Sequence, residues 1–410
     1  MRILLINPRS KALDALPIPP LGILYLAAYV RERGFKNVKV IDDNRERLPL
    51  EILEDEISKA DVLGLTGTTS QYPNALKLAE LARKYGVKIV YGGSHASTIR
   101  ENGHFDYIVK GEGEEAFLSI LEGKPATNTL IKNLDDLPFP ARDLVPIREY
   151  ATRGLKRFNG SYTHMMTGRG CNSKCIFCSS PSMWGSPRLM SAGRVFAEML
   201  NIYESYGITN IHFQDDTFTL SRKRVLELCS LLKGSVIGFR WSCQTRPDMV
   251  DKHLLKEMSK AGCVQIEFGV ESGDAGLLLT AHKRYDKKQI KEAFNMAREA
   301  GINTYGFFMV GLPGETILSW LKTVLFALSL KVDQSVWTVL MPFPGTRVYE
   351  EKMVEILDWD YANWLYKRPI IKVGYLRPWM LSGMRKIADM ITNGVFNKGV
   401  YKTKKIKNES

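Results

Sequence analysis

The chain has 410 residues, which is too long for one average domain and suits two or three. Hydrophobic residues make up 45% of it, yet no stretch reaches the roughly 18 uninterrupted apolar residues of a membrane span. The net charge is +13, and residues 351–410 hold twelve Lys or Arg against six Asp or Glu. Such an excess suits an anionic partner, either nucleic acid or a lipid surface in peripheral contact, although a solvated tail is the simpler interpretation.

The amino-terminal sequence and the cysteines indicate the cellular compartment of the protein. The chain opens on a buried-strand pattern instead of a signal peptide. Its six cysteines are not spread like a disulfide framework, since three cluster at 171–178 and Cys229, Cys243 and Cys263 are dispersed. We therefore expect a reduced, cytoplasmic protein, and we assign no role to the dispersed cysteines.

Residues 1–125 alternate strand-like and helix-like segments. The predicted strands are RILLINP, VKVIDD, DVLGLTG, KIVYGG and DYIVKGEGE, and the predicted helices are LGILYLAAYVRERG, PNALKLAELARKYG and EEAFLSILEG. This order predicts an α/β fold with a doubly wound, Rossmann-like parallel sheet. Ligands are expected at the carboxyl ends of its strands.

The remainder of the chain divides into three parts. Residues 126–160 form a connector, in which Leu137–Pro140 is expected to pack between domains. Residues 161–349 contain six strand-like segments with helices between them, which predicts a barrel or partial barrel with its active site at the carboxyl ends. Residues 350–410 are a basic extension without a clear period, and its last ten residues are expected to be disordered.

A cysteine motif follows the first strand of the predicted barrel. Cys171, Cys175 and Cys178 are spaced so that one short loop can place three thiolates around an inorganic iron–sulfur cluster. Three ligands leave one iron open, and an open position is where a metal enzyme binds its substrate. The alternative, a structural zinc site, is one ligand short, since the nearest candidate, His164, lies on the preceding strand.

With Phe177 directly before the last cysteine, this motif resembles the signature of the radical S-adenosylmethionine (SAM) superfamily. The resemblance implies a partial (β/α)6 barrel and a four-iron–four-sulfur cluster bound by the three cysteines. It also implies that SAM chelates the fourth iron and that one-electron reduction yields a 5′-deoxyadenosyl radical. An external reductant such as a ferredoxin or flavodoxin is implied as well.

Further segments match the superfamily's motifs in the expected order. Gln214, Asp215 and Asp216 resemble the acidic element that meets the SAM ammonium, although many relatives have Gly-Gly-Glu there, and which aspartate faces SAM stays open. The other residues that the resemblance assigns to SAM are Phe177, Arg246, Glu267, Glu271 and Gly311. Each match alone has a structural alternative such as a cap, a turn or an ion pair, whereas the ordered series is more specific.

Residues 1–125 resemble the cobalamin-binding domain that precedes the barrel in one radical SAM subclass. The matching segments are PPLGILYLAAYVRERG, DVLGLTGTTSQYPNA, VYGGSHAS and DYIVKGEGEEAF, and PFPARDL resembles that subclass's connector. The residues expected to contact cobalamin are Thr66, Thr68, Ser70, Gly92, Gly93, His95, Gly111, Glu112 and Gly113. The alternative is a domain that has lost its cofactor and serves for docking.

One departure concerns the cobalt ligand. Cobalamin domains of the methionine-synthase type carry a ligating histidine in the loop after the first strand, and the matching loop, 7–16, has none. We therefore expect cobalamin without a protein histidine on cobalt. His95 is the alternative ligand, although a histidine in a glycine-rich loop more often hydrogen-bonds its surroundings.

Three functions compete. The leading hypothesis is cobalamin-dependent methylation of an unactivated carbon in a small-molecule or lipid substrate. A second is a radical cyclisation, rearrangement or C–C coupling of a lipid, tetrapyrrole or natural product without methyl transfer. A non-enzyme alternative is a nucleic-acid-binding protein with a structural cluster, but no recognised nucleic-acid module accompanies the basic extension. Methylthiolation of tRNA is disfavoured, because relatives with that activity carry three more cysteines in an amino-terminal domain and no cysteine precedes Cys171 here.

Overall fold

The computed structural model describes residues 1–11, 18–99, 103–127, 129–150, 158 and 160–396. The last five residues of the 7–16 loop therefore lie outside the described residues. The same holds for the end of the basic extension, for which we expected disorder.

A parallel sheet of five strands forms the amino-terminal domain. Its strands are β1 Ile3–Asn7, β2 Val38–Asp42, β3 Val62–Thr66, β4 Lys88–Gly92 and β5 Tyr107–Ile108, in the order β2-β1-β3-β4-β5. The helices of this domain are α1 Leu21–Glu32, α2 Asp43–Glu46, α3 Leu50–Ser58, α4 Tyr72–Arg83 and α5 Glu114–Leu121. The predicted doubly wound sheet is confirmed, while α3 was not predicted.

Both faces of this sheet are covered because its strands are apolar on both sides. Leu4 and Leu5 are fully buried neighbours on β1, and they belong to two separate apolar clusters. Successive side chains of a strand point to opposite faces, so each cluster is the core between the sheet and one helix layer. The strand ends are thereby left as the open edge of the domain.

A curled sheet of six parallel strands forms the second domain. Its strands are β6 Tyr162–Met165, β9 Asn210–Phe213, β10 Arg240–Thr245, β11 Cys263–Glu271, β12 Asn303–Val310 and β13 Gln334–Val339, paired in chain order. The helices are α7 Ser180–Trp184, α8 Ala192–Tyr206, α9 Arg222–Gly234, α10 Lys252–Lys260, α11 Ala275–Thr280, α12 Lys287–Glu299 and α13 Ile317–Leu330. All six predicted strands are present, which confirms the partial barrel. A short antiparallel pair, β7 Gly168–Arg169 with β8 Arg188–Leu189, was not predicted.

The connector packs between the two domains. Leu137 belongs to the barrel's apolar cluster, whereas Ala141 belongs to the amino-terminal one. Arg142 is buried and donates hydrogen bonds to Glu198 at 2.8 Å and to the backbone oxygen of His164 at 3.0 Å. The short helix α6 Ile147–Tyr150 also belongs to this segment.

The carboxyl-terminal extension is more regular than the sequence predicted. The helix α14 Arg347–Glu350 leads into it, and it contains the strand pair β14 Glu355–Ile356 and β15 Ile371–Lys372 and the long helix α15 Pro378–Phe396. Helix α15 packs against β13, the edge strand of the curled sheet, and so covers its open edge. Within the part of the chain that the structure describes, no helix is both long enough and apolar enough to cross a membrane.

Candidate functional site

The three cysteines of the motif lie on the loop that follows β7, at the carboxyl edge of the curled sheet. All three side chains are partly exposed, and the Cys178 backbone N–H donates to the Cys175 carbonyl at 3.2 Å, so the loop turns tightly. Thr217, which follows β9, places its hydroxyl 3.3 Å from the Cys171 sulfur. The loop thus presents its thiols beside the end of a second strand.

The donor set of this loop fits an iron–sulfur cluster. Burial raises the pKa of Cys175 and raises that of Cys178 to about 12, and the thiols reinforce one another's shift because they lie close together. Coordination to iron removes such protons. Within the described ranges, no three His, Cys, Asp or Glu side chains are arranged to hold a single metal ion.

Arg246, after β10, contacts the cysteine loop itself. Its guanidinium donates to the Asn172 side chain at 2.9 Å and to Ser173, both inside the motif, and pairs with Asp248. The resemblance assigns this arginine to SAM. The contacts show that it holds two side chains between the first two cysteines.

The two aspartates after β9 have different surroundings. Asp215 is buried, accepts the Thr167 N–H at 2.6 Å and lies 3.6 Å from Arg224. Asp216 is exposed and accepts the Ser180 hydroxyl at 2.5 Å, two residues beyond Cys178. Asp215 is therefore engaged within the protein, while Asp216 presents a carboxylate next to the cysteine loop.

A buried ion pair lies near Cys175 of the cysteine loop. Glu271, at the end of β11, pairs with Lys283 at 2.9 Å, and both side chains are at most a tenth exposed. Lys283 also lies 5.3 Å from the centre of the Phe177 ring. Glu271 has a φ of 65°, which is uncommon for a residue with a side chain and is found more often at functional sites. Sequence reasoning missed Lys283, which no motif covers.

Glu267 and Gly311 lie on the neighbouring strands. Glu267 is buried on β11 and accepts the Gln265 amide at 2.6 Å. Gly311 follows β12 with a φ of 94°, and its N–H donates to the buried Glu315 carboxyl. Burial raises the pKa of Glu315 to about 8, although the hydrogen bonds that it accepts from backbone N–H groups lower this pKa.

A glycine-lined cavity of about 420 Å³ lies at the carboxyl edge of the amino-terminal sheet and extends to the barrel. Of the residues expected to contact cobalamin, it is lined by Thr66, Thr68, Gly92, Gly93, Gly111, Glu112 and Gly113, and Gln214 reaches it from the barrel. A Cβ on Gly93 would lie 2.7 Å from the Thr66 hydroxyl and 2.9 Å from the Gly67 nitrogen. Only a glycine therefore lets these two loops approach so closely.

Arg169 lines this cavity and keeps one buried donor without a partner. Its side chain is buried, pairs with Glu114 at 2.5 Å and Glu112 at 3.3 Å, and leaves Nε without a partner. Cobalamin offers carboxamide and phosphate oxygens, so a glycine cradle with an unpartnered arginine donor fits it. Sequence reasoning missed Arg169, although it stands two residues before Cys171.

A second, interdomain cavity of about 720 Å³ lies on the other side of the Thr68–Gln71 loop. Ser70 and Ser94 line it from the amino-terminal domain, and Ser179, directly after the cysteine motif, lines it from the barrel. Its remaining wall comes from Phe343–Pro344 and from the extension, at 364–368. The loops expected to hold cobalamin and the loop expected to hold the cluster therefore line the same cavity.

His95 is packed into an aromatic cluster and lines neither of these two cavities. It is 1% exposed, its ring centre lies 4.5 Å from that of Tyr72 and 5.1 Å from that of Tyr361, and Nδ1 lies 3.1 Å from the Thr69 hydroxyl. Burial lowers its pKa to about 4, so the ring is neutral at neutral pH. Tyr361 belongs to the carboxyl-terminal extension, which therefore shields this histidine.

Comparisons with known proteins agree with this geometry. The model of the radical SAM superfamily matches residues 165–327, and that of the B12 binding domain matches residues 14–121. An uncharacterised methyltransferase of Pyrococcus horikoshii is 31% identical over 95% of this chain and 91% of its own length. The anaerobic magnesium-protoporphyrin IX monomethyl ester cyclase of Cereibacter sphaeroides is 26% identical over 91% of this chain and 67% of its own.

A solved structure has the same fold. The radical SAM methyltransferase TsrM of Kitasatospora setae, with cobalamin and a [4Fe–4S] cluster bound, superposes with a TM-score of 0.70 over 86% of this chain and 78% of that one, at 20% identity. Both predicted domains and the predicted cofactors are thereby confirmed. The chain belongs to the radical SAM superfamily, in the group that carries an amino-terminal B12-binding domain, and it is an enzyme whose cofactors are a four-iron–four-sulfur cluster, SAM and cobalamin.

Proposed function

We propose that the enzyme methylates an unactivated carbon of a small-molecule substrate. The observation that carries this proposal is the interdomain cavity, which Ser70 and Ser94 line from the cobalamin domain and Ser179 lines from the cysteine loop. A methyl group and a substrate radical must meet in one place, and holding reactants together supplies much of a rate enhancement. When bound, the cluster supplies an electron to SAM and cobalamin supplies the methyl group.

The chain's own residues bind and orient these groups. Cys171, Cys175 and Cys178 would hold the cluster. SAM would contact Phe177, Gln214, Asp216, Arg246, Glu267, Glu271 and Gly311, and cobalamin would contact the glycine-lined cavity and Ser70. The supporting observation is that each set lies at the carboxyl edge of its own sheet, where parallel sheets bind ligands.

We also propose the domain division 1–125, 126–160, 161–349 and 350–410. The sheets support it, since β5 ends at Ile108 and α5 at Leu121, and the curled sheet runs from Tyr162 to Val339. The enzyme takes its electron from an external reductant, and we propose a ferredoxin or flavodoxin in the cytoplasm. All six cysteines are free thiols, in keeping with a reducing compartment.

A radical reaction without methyl transfer is the second candidate, favoured by the likeness to the cyclase of Cereibacter sphaeroides. Anaerobic reconstitution with cluster, cobalamin and deuterium-labelled SAM separates the two. We expect the corrin to be retained and the labelled methyl group to appear in the substrate or, without substrate, on the corrin. Cleavage of SAM by a protein that retains no corrin would favour the second candidate.

The different surroundings of Asp215 and Asp216 predict that their replacement has different effects. Replacing Asp216 with Asn should weaken SAM binding about thirtyfold, on the order of 2 kcal/mol, because a charge-assisted contact is lost, and leave the melting temperature unchanged. Replacing Asp215 with Asn should instead cost about 3 kcal/mol of stability, since it leaves Arg224 buried without its carboxylate. Calorimetric titration with SAM and thermal unfolding measure the two effects. The opposite pattern would assign SAM to Asp215.

The packing of His95 predicts the electron paramagnetic resonance spectrum of the cob(II)alamin form. We expect no superhyperfine splitting from an axial nitrogen, because the His95 ring is 1% exposed, its Nε2 is buried, and it lines neither the glycine-lined nor the interdomain cavity. A His95→Gln variant should give the same spectrum as the unchanged protein. A splitting that disappears in this variant would identify His95 as the cobalt ligand.

A further inference from the structure

Helices α13 and α15 expose large apolar side chains on their outer sides, which together we call the apolar face. Its members are Ile317, Leu318, Leu321 and Leu325 on α13, Tyr375 before α15, and Trp379, Ile387 and Met390 on α15. Leu318, Leu325, Trp379 and Met390 are each between 64% and 72% exposed. Isolated apolar side chains are common on protein surfaces, whereas a set on adjoining helices marks an interaction site.

Helical spacing places these residues on one side of each helix. Leu318, Leu321 and Leu325 follow one another at three and four positions, so they form one stripe along α13. Trp320, Val324 and Ala327, on the other side of α13, are buried in the barrel's apolar cluster. Helix α13 therefore has two apolar sides, and the described part of the chain buries one of them.

The same holds for α15, and the two helices adjoin. Leu381, Met384 and Ala388 pack into the barrel cluster, while Trp379, Ile387 and Met390 lie on the opposite side. The two helices pack against each other, and the Ile317 N–H donates to the Tyr375 hydroxyl at 3.0 Å. The two exposed stripes thus belong to neighbouring parts of one surface.

Positive charge accompanies the apolar face. Along α15 and its lead-in, Arg377, Arg385 and Lys386 stand against one acid, Asp389. The following residues, 397–410, contain five lysines and one glutamate. Leucine and tryptophan on one side of a helix with lysine and arginine beside them are typical of helices that lie in the plane of a membrane interface, and basic segments attract anionic lipids.

The charge also argues against a second copy of the chain as the occupant. A twofold contact through this face would bring two basic segments together, and like charges repel. We propose that the apolar face docks on the surface of an anionic lipid bilayer, with α13 and α15 lying along the interface and residues 397–410 adding electrostatic attraction. This proposal is independent of methyl transfer, because none of these residues lines the glycine-lined or the interdomain cavity.

The test is cosedimentation of the full chain, loaded with cluster and cobalamin, with vesicles of phosphatidylcholine alone or mixed with phosphatidylglycerol. We expect binding to the mixed vesicles, and weaker binding to phosphatidylcholine alone. The triple variant Leu318→Ser, Leu325→Ser, Trp379→Ser should lower the affinity for mixed vesicles at least about tenfold. Replacing Lys402, Lys404, Lys405 and Lys407 with Gln should lower it at low salt and reduce its dependence on salt.

A matched control and a second variant complete the experiment. Val236→Ser, at a fully exposed apolar residue between α9 and β10, should leave vesicle binding unchanged. Cluster absorbance and thermal unfolding establish that each variant is folded. If the triple variant does not fold, the single exposed substitution Leu325→Glu, which sets a negative charge against the lipid headgroups, repeats the test.

Two results would overturn the proposal. The first is unchanged binding to mixed vesicles in a folded triple variant or in Leu325→Glu. The second is a dimer by light scattering that the triple variant dissociates, while the unchanged protein does not bind vesicles. In that case the apolar face is an interface between copies of the chain.

Discussion

Replacing Cys171, Cys175 and Cys178 together with alanine is expected to leave a folded protein that contains no iron or sulfide and does not cleave SAM. The three side chains are partly exposed on a loop, so their removal leaves no cavity in the core. Without thiolates the cluster has no ligands, and without the cluster SAM has no electron donor. Iron and sulfide assays and the yield of 5′-deoxyadenosine measure the loss.

Cys229→Ala is the matched control for this prediction. Cys229 is buried between α9 and the sheet, and Cys243 and Cys263 are likewise in the barrel core. We expect this variant to lose some stability and to keep its full iron content. A full complement of iron and sulfide in the triple variant would show that the motif does not hold the cluster.

Replacing Gly93 with valine is expected to abolish the retention of cobalamin while leaving the cluster in place. The new Cβ would lie 2.7 Å from the Thr66 hydroxyl and 2.9 Å from the Gly67 nitrogen, and the φ of 97° adds strain. The loops after β3 and β4 must then separate, which changes the shape of the glycine-lined cavity. We expect affinity for hydroxocobalamin to fall at least about a hundredfold, a loss of roughly 3 kcal/mol, measured by corrin absorbance after equilibrium dialysis.

Gly86→Val separates this effect from backbone strain alone. Gly86 precedes the same strand and has a φ of 67°, and among the described residues no atom beyond its own and its chain neighbours' lies within 4 Å of the position of its Cβ. Its replacement should lower stability and leave cobalamin affinity unchanged. Wild-type affinity in the Gly93 variant would mean that cobalamin does not bind in the glycine-lined cavity.

The strands and the cofactors were predictable because their signals are local. A buried parallel strand is a short apolar run that ends in small or polar residues, and the cysteine motif is contained in eight positions. Helix α15 was not predicted because such a local signal is missing from its sequence. Its outer side carries Trp379, Ile387 and Met390, so the apolar residues do not alternate with polar ones at the helical period.

The details of the site depend on contacts between distant parts of the chain. Sequence motifs left Asp215 and Asp216 equivalent, and they are distinguished by Thr167, from the segment between β6 and β7, and by Arg224, from α9. His95 was an open alternative as a ligand because nothing near it in sequence indicates that Tyr361 covers its ring. Lys283 belongs to no motif, and its position near Phe177 follows from the course of β11 and the segment after α11.

Arg169 has a thermodynamic consequence, since it belongs at once to the wall of the glycine-lined cavity and to the strand that leads into the cysteine loop. Its pairs with Glu112 and Glu114 join the two domains through buried charges. Any coupling between the two cofactor sites that runs through this side chain is reciprocal. If bound corrin strengthens cluster binding by a given free energy, the assembled cluster strengthens corrin binding by the same amount. The total free energy of binding both cofactors therefore does not depend on which of them is loaded first.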